Sequence, residues 1–270
     1  VERGGLVYKH FLDGDGFINA WHFENGSVSY RGDFVRTPEY EAEETADAVL
    51  FRGAFGTAKP GGVLANAFDL QSKNLSNTNV VAWGGRLLSL YEAARPCRID
   101  PDSLVFQGTE DFDGFLRPGL SASSGQELVD KALGLGGDAF TAHPKMDPEQ
   151  GLLVGFSWQS KDGGVEIQAH EFNDDLSRRS SSAESSKVFV PECDSSPHDF
   201  GLTRKHLIFL ENRFRLANLA GYLLGASGPA ESLVSQPELP QRVHVISRDG
   251  THNPITIDGP CAVFDVHVAH

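Results

Sequence analysis

Short apolar runs, each cut off by Gly, Asp, Asn or Pro, recur through most of this 270-residue chain. At roughly ten-residue spacing such runs are strands joined by tight turns, not helices. The clearest case is the pair of runs at residues 78–83 and 86–92, which flank Gly84-Gly85 and predict a hairpin. Asp13-Gly14-Asp15-Gly16 and Asn25-Gly26 are turn sequences within residues 6–40, and they predict further antiparallel hairpins there. Strands are predicted at residues 151–159, 165–172, 187–190 and 206–210, and again at 242–246 before an Asp249-Gly250 turn. Near the end, alternation sends Phe264, Val266 and Val268 to one face and Asp265 and His267 to the other. This all-β pattern fits a β-propeller, or else a large barrel or sandwich.

Four stretches break the pattern. Residues 41–49, with Glu41, Glu43, Glu44 and Asp47, read as a solvated acidic connection. Residues 112–140 are rich in Gly and Ser and read as a surface insertion around a short helical possibility at 126–133. The Ser-rich run at 177–187 reads as a second surface insertion. Residues 213–225 place Leu216, Leu219, Ala220 and Leu223 on one helical face and predict an amphipathic helix. That helix either caps the sheet or lies on a membrane surface with Arg213 and Arg215 at the headgroups.

A formal charge of −14 repels a phosphate backbone and argues against nucleic acid as a partner. Cys97, Cys193 and Cys261 are far apart and lack C-x-x-C spacing, so neither a disulfide framework nor a thiolate zinc site is predicted, and a reducing compartment fits. No apolar run reaches the roughly 18 residues that span a bilayer. The only methionine is Met146 and the last residues read as strand, so a piece of a longer protein is expected. A calcium loop starting at Asp13 fails, because Phe17 and Ile18 stand where an oxygen ligand and a glycine are needed. No G-x-S-x-G or other nucleophile motif is present.

Two histidines stand out. Thr141-Ala142-His143-Pro144-Lys145 and Pro197-His198-Asp199-Phe200 each place an imidazole at the edge of a strand-like run, where it can turn inward toward a metal. His267 is a third candidate by its face in the last run. Glu92 follows an apolar stretch as either a surface charge or an inward carboxylate. His10, His22, His170, His206, His244 and His252 have no ligand context and are assigned to ordinary surface or strand positions.

Taken in order, His10-Phe11-Leu12-Asp13-Gly14-Asp15-Gly16, Asp33-Phe34-Val35-Arg36-Thr37, the 77–92 hairpin, Ala142-His143-Pro144-Lys145, His198-Asp199-Phe200 and Arg242-Val243-His244-Val245-Ile246 resemble the carotenoid cleavage oxygenases. The resemblance implies a seven-bladed β-propeller with helical insertions, of which residues 1–270 would be part of a single domain lacking its C-terminal blades. It implies an axial iron(II) held by four histidines and oriented by outer glutamates. His143 and His198 then resemble the first two ligands and Glu92 the first of the glutamates. His267 is similar to the third ligand, although His270 stands where the family has asparagine, and the fourth would lie beyond residue 270. The implied reaction is cleavage of a conjugated double bond of a carotenoid or apocarotenoid by O2 into two carbonyl products, in the cytoplasm or a plastid. The 213–225 helix stands where the family carries a membrane-dipping patch, which makes Leu216, Leu219 and Leu223 docking candidates. A propeller closes by pairing its last blade with its first, so the piece alone is expected to fold poorly or be inactive. Other readings are a non-catalytic propeller binding apolar ligands or partners, action on stilbene-like phenolics, and isomerisation.

Overall fold

The computed structural model describes residues 2–69, 73–116, 138–179, 186–250 and 252–259. Strands β1 (Glu2–Arg3) and β2 (Leu6–Val7) pair with each other, and β3 (Phe17–Glu24) and β4 (Ser27–Phe34) form a hairpin. Its turn is the predicted one, with Asn25 at φ 48° and Gly26 at φ 77°. Helices α1 (Pro38–Ala46) and α2 (Gly62–Asn66) follow. Strands β5 (Asn79–Trp83), β6 (Arg86–Leu90), β7 (Cys97–Ile99) and β8 (Phe106–Thr109) then make a four-stranded meander.

The next sheet runs β10 (Lys145–Asp147), β11 (Leu152–Lys161), β12 (Gly164–Phe172), β13 (Lys187–Pro191). The short β9 (Ala139–Phe140) pairs with β11 beside β10. The last sheet contains β14 (Gly201–Leu202) and β15 (His206–Leu210). An insertion holding β16 (Phe214–Leu216), α3 (Leu219–Leu223) and β17 (Leu233–Ser235) comes next. Strands β18 (Arg242–Ser247) and β19 (Ile255–Asp258) complete the sheet in the order β14-β15-β18-β19. All these ladders are antiparallel.

Strand alternation sets the packing. Ile18, Leu87, Ile99 and Phe106 join the β3–β4 hairpin to the β5–β8 sheet. Val81, Leu88 and Leu90 meet Phe140, Leu153 and Phe172 of the next sheet, and Phe156, Val165 and Ile167 meet Phe200, Phe209 and Ile246 of the last. Each sheet thus packs its face on its successor. Phe156 is edge-on to both Phe200 and Phe209, at 5.7 and 5.2 Å between centroids; a buried ring of this kind contributes about 1.5–3 kcal/mol. Arg248 crosses the same boundary, 2.7 Å from Asp147 and in contact with Glu171. Cys97 and Cys193 are buried free thiols, and burial pushes Cys97 up to about 11.

The chain is mostly β with three short helices among the described residues, in keeping with a β fold carrying helical insertions. Several local expectations are corrected. The acidic run is α1, capped by Thr37 accepting the Tyr40 N–H at 3.2 Å. Glu43 is fully buried, not solvated. Asp13–Gly16 is not a hairpin turn. A 3-10 turn (Phe11–Asp13) ends there, Gly14 has φ −74°, and the buried Asp13 carboxylate accepts N–H bonds from Phe55 (2.8 Å) and Thr57 (3.0 Å).

The 213–225 helix is also absent as drawn. Asn218 caps α3 by accepting the Gly221 N–H, so the helix begins at Leu219 and Leu216 belongs to β16. Arg213 is 4% exposed and pairs with Glu211 at 2.8 Å, which rules out a headgroup position. The insertion at 117–137 with its helical possibility, the serines at 180–182 and residues 260–270 lie outside the described residues. No helix described is long and apolar enough to cross a membrane.

Candidate metal centre

His143 owes its position to a broken edge strand. Phe140 pairs with Ser157 and Lys145 with Val154, so the four residues 141–144 stand opposite only Gly155 and Phe156. Pro144 has no N–H to give the ladder, and such residues sit at edges and bulges. The Thr141 N–H still reaches the Phe156 carbonyl at 2.9 Å, and the Thr141 hydroxyl then accepts the His143 N–H at 3.0 Å, turning the backbone out of the strand. Gly155 makes room opposite, since a Cβ there would lie 2.5 Å from the Phe140 ring.

His198 lies in the connection from β13 to β14. Its neighbour Asp199 is 5% exposed and pairs with Lys145 at 2.8 Å, while its other role is to accept the Phe200 N–H at 2.7 Å. The lysine two residues after one histidine therefore grips the aspartate directly after the other. That explains why each motif carries its charged residue.

Glu92 sits in a turn two residues past β6, not at a strand end. Three bonds dock this region on the neighbouring sheet: Trp158 Nε1–H donates to the Glu92 carbonyl (2.8 Å), Phe140 N–H to the Ala94 carbonyl (3.1 Å), and Asn79 Nδ2–H to the Ala142 carbonyl (3.0 Å). The Glu92 carboxylate consequently enters between the histidines. Its Oε1 is 3.7 Å from His143 Nε2 and in direct contact with His198 Nδ1. The two rings lie 4.4 Å apart at 61°, and one donor atom from each of the three residues falls within 4.8 Å of the others. The histidine side chains are each 21% exposed and the glutamate 30%, while the facing atoms Glu92 Oε1 and His143 Nε2 are themselves buried.

The donor set fits a metal ion. A carboxylate against His198 Nδ1 favours the tautomer that carries its proton there and leaves Nε2 with its lone pair; carboxylate–imidazole pairs of this sort orient metal ligands. Imidazoles without a thiolate suit iron, copper, nickel or zinc. Burial, together with the Asp13 and Glu92 carboxylates, pushes the adjacent Tyr91 phenol up to about 12, so it stays neutral. Among the described residues no other group of three has metal-ligand geometry.

The structure thus brings together Glu92, His143 and His198, while His267 and His270 lie outside the described residues. Leu216, Leu219 and Leu223 belong to the insertion after β15. His170 and His244 occupy strands as expected but are buried: His170 bonds Ser157 at 2.8 Å, with burial holding it well below its ordinary value, and His244 bridges Thr256 (2.9 Å) and Glu211 (2.8 Å). Trp158, Asn79, Lys145 and Asp199 escaped sequence reading as site residues. Only the charges inside the two histidine motifs offered a signal.

Stacked antiparallel sheets with a histidine–carboxylate cluster where two of them meet define a candidate metalloprotein. The family model described as retinal pigment epithelial membrane protein matches residues 2–270, and the chain belongs to that family, in which the carotenoid cleavage oxygenases are grouped. It is 33% identical to the apocarotenoid-15,15'-oxygenase of Synechocystis over 93% of this chain and 47% of that protein. It is 27% identical to the chloroplastic carotenoid cleavage dioxygenase 7 of rice, over 100% of this chain and 49% of the other. The solved structure of cobalt-substituted Synechocystis apocarotenoid oxygenase superposes with a TM-score of 0.80 at 31% identity, covering 95% of this chain and 50% of that one. The chain therefore spans about half the length of these relatives.

Proposed function

We propose that the complete protein is an iron(II)-dependent dioxygenase that cleaves a conjugated double bond of a carotenoid or apocarotenoid with O2 to give two carbonyl products. The observation that carries this reading is the convergence of His143, His198 and Glu92 from separate segments, in a chain of this family. The names of the Synechocystis and rice relatives support the substrate class, and the cobalt-substituted relative supports a metal in this fold. Residues 1–270 then form part of one seven-bladed propeller, with His267 as a third ligand and the fourth beyond residue 270. The sheets that stack from β3 to β19 support that architecture.

Within this chain, His143 and His198 would hold the metal. Glu92 keeps the His198 proton on Nδ1 and fixes its ring plane. When bound, iron(II) supplies the redox chemistry of the cleavage. No protein nucleophile takes part.

A second reading follows from other relatives. The chain is 31% identical to a resveratrol cleavage oxygenase of Aspergillus fumigatus over 57% of its length, which favours a phenolic stilbene as substrate. Incubating the complete protein with a C40 carotenoid, an apocarotenal and a stilbene, and identifying products by mass, separates the two. Aldehydes from the polyenes alone support the first reading, and turnover confined to the stilbene would replace it with the second.

A bilayer-dissolved substrate calls for contact with the membrane. Leu219, 51% exposed on α3, is the best-placed of the apolar residues for it, whereas Leu216 and Leu223 are half-buried. Leu219→Asp is expected to weaken liposome co-sedimentation, and unchanged sedimentation would remove this contact from the proposal.

A further inference from the structure

We infer that Trp158 is a positioning residue for the metal centre, acting on both of its halves at once; the inference rests on the metal reading above. Trp158 lies on β11, and its backbone is in register with Ala139, which fixes the strand that leads into the His143 bulge. Its indole Nε1–H leaves that sheet and donates to the Glu92 carbonyl at 2.8 Å. One residue therefore ties the carboxylate-bearing turn of the β5–β8 sheet to the strand bearing the first histidine. The side chain is half-buried against the Phe156 cluster, which limits its own freedom.

The consequence is geometric. The Glu92 turn has little regular structure of its own, since β6 ends at Leu90 and β7 starts at Cys97. Without the indole, the nearest remaining backbone tie from this turn to the β9–β13 sheet among the described residues is the Phe140 N–H to the Ala94 carbonyl. A small rotation of that turn would move the carboxylate off His198 Nδ1 and release the imidazole tautomer. Changes in such outer contacts typically weaken metal binding by roughly 10–100-fold, and Trp158, acting through the Glu92 backbone, belongs at the lower end.

The molecule contains its own control. Trp83 also donates its indole N–H to a carbonyl across a sheet boundary, that of Asn173 at 2.8 Å, without touching the cluster. In the complete protein, Trp158→Phe and Trp83→Phe each remove one such bond, and a β-(3-benzothienyl)alanine at position 158 removes only the N–H while keeping the shape. Anaerobic titration with Co(II), read by its visible absorption, gives affinity and ligand geometry independently of turnover. We expect about tenfold weaker binding and an altered spectrum for both position-158 variants, with Trp83→Phe like wild type. Wild-type affinity in the benzothienyl variant, or an equal loss in Trp83→Phe, would overturn the inference. A wild-type protein that takes up no Co(II) would overturn the metal reading itself, and this inference with it.

Discussion

Alanine at His143 or at His198 in the complete protein is expected to lower bound iron to background and, under the proposed function, to remove oxygen-dependent cleavage with it. Each substitution deletes a ring nitrogen that Glu92 is not placed to replace, because its carboxylate is already engaged between the rings, in contact with His198 Nδ1 and 3.7 Å from His143 Nε2. The metal-free fold should scarcely notice. Both side chains are 21% exposed and outside the apolar clusters, so unfolding of the metal-free variants should shift by no more than about 0.5 kcal/mol. Metal analysis and urea unfolding, run in parallel, check the two halves. Iron retained in either variant would exclude that histidine as a ligand.

The largest loss of stability is expected far from the centre, at Glu43. Its fully buried carboxylate pairs with Lys73 at 2.7 Å and with Arg3 at 3.6 Å, and accepts the N–H groups of Leu50 (2.9 Å) and Phe51 (3.1 Å). Glu43→Ala strands those donors and leaves Lys73 with Asp15 alone. Breaking a buried pair by removing one partner costs about 3–5 kcal/mol, so the urea midpoint should fall sharply. A change under about 1 kcal/mol would place Glu43 in solvent after all.

The same cluster has a signed pH dependence. Burial alone would lower the Lys73 ammonium, yet the Asp15 and Glu43 carboxylates outweigh it and hold the group above its ordinary 10.5. Stabilisation from this group is full below that value and fades as pH rises through the raised pKa.

What could be read from sequence was what is local. Asn25-Gly26, Gly84-Gly85 and Asp249-Gly250 each bring a left-handed residue between apolar runs, and the strands at 79–83, 86–90 and 242–247 fall where expected, whereas the one at 255–258 was not foreseen. The reading failed where distant residues decide. Glu43 looked solvated because its partner Lys73 is thirty residues away, and Asp13 looked like a turn residue because the amides of Phe55 and Thr57 lie outside its neighbourhood. At 213–225 the helical spacing was real, but the Asn218 cap began the helix one turn late. The two histidines were legible because Pro144 and Pro197 mark the breaks around them. Their convergence was not, since it depends on Lys145 reaching Asp199 and Trp158 reaching Glu92.

The central claim is most directly tested by loading the complete protein anaerobically with iron(II), removing excess metal and measuring iron by elemental analysis together with the products formed from an apocarotenal on admission of O2. Stoichiometric iron with two carbonyl products is the expected result. A folded protein that retains no iron and leaves the polyene intact would contradict it, and would recast the fold as a non-catalytic binder of apolar ligands.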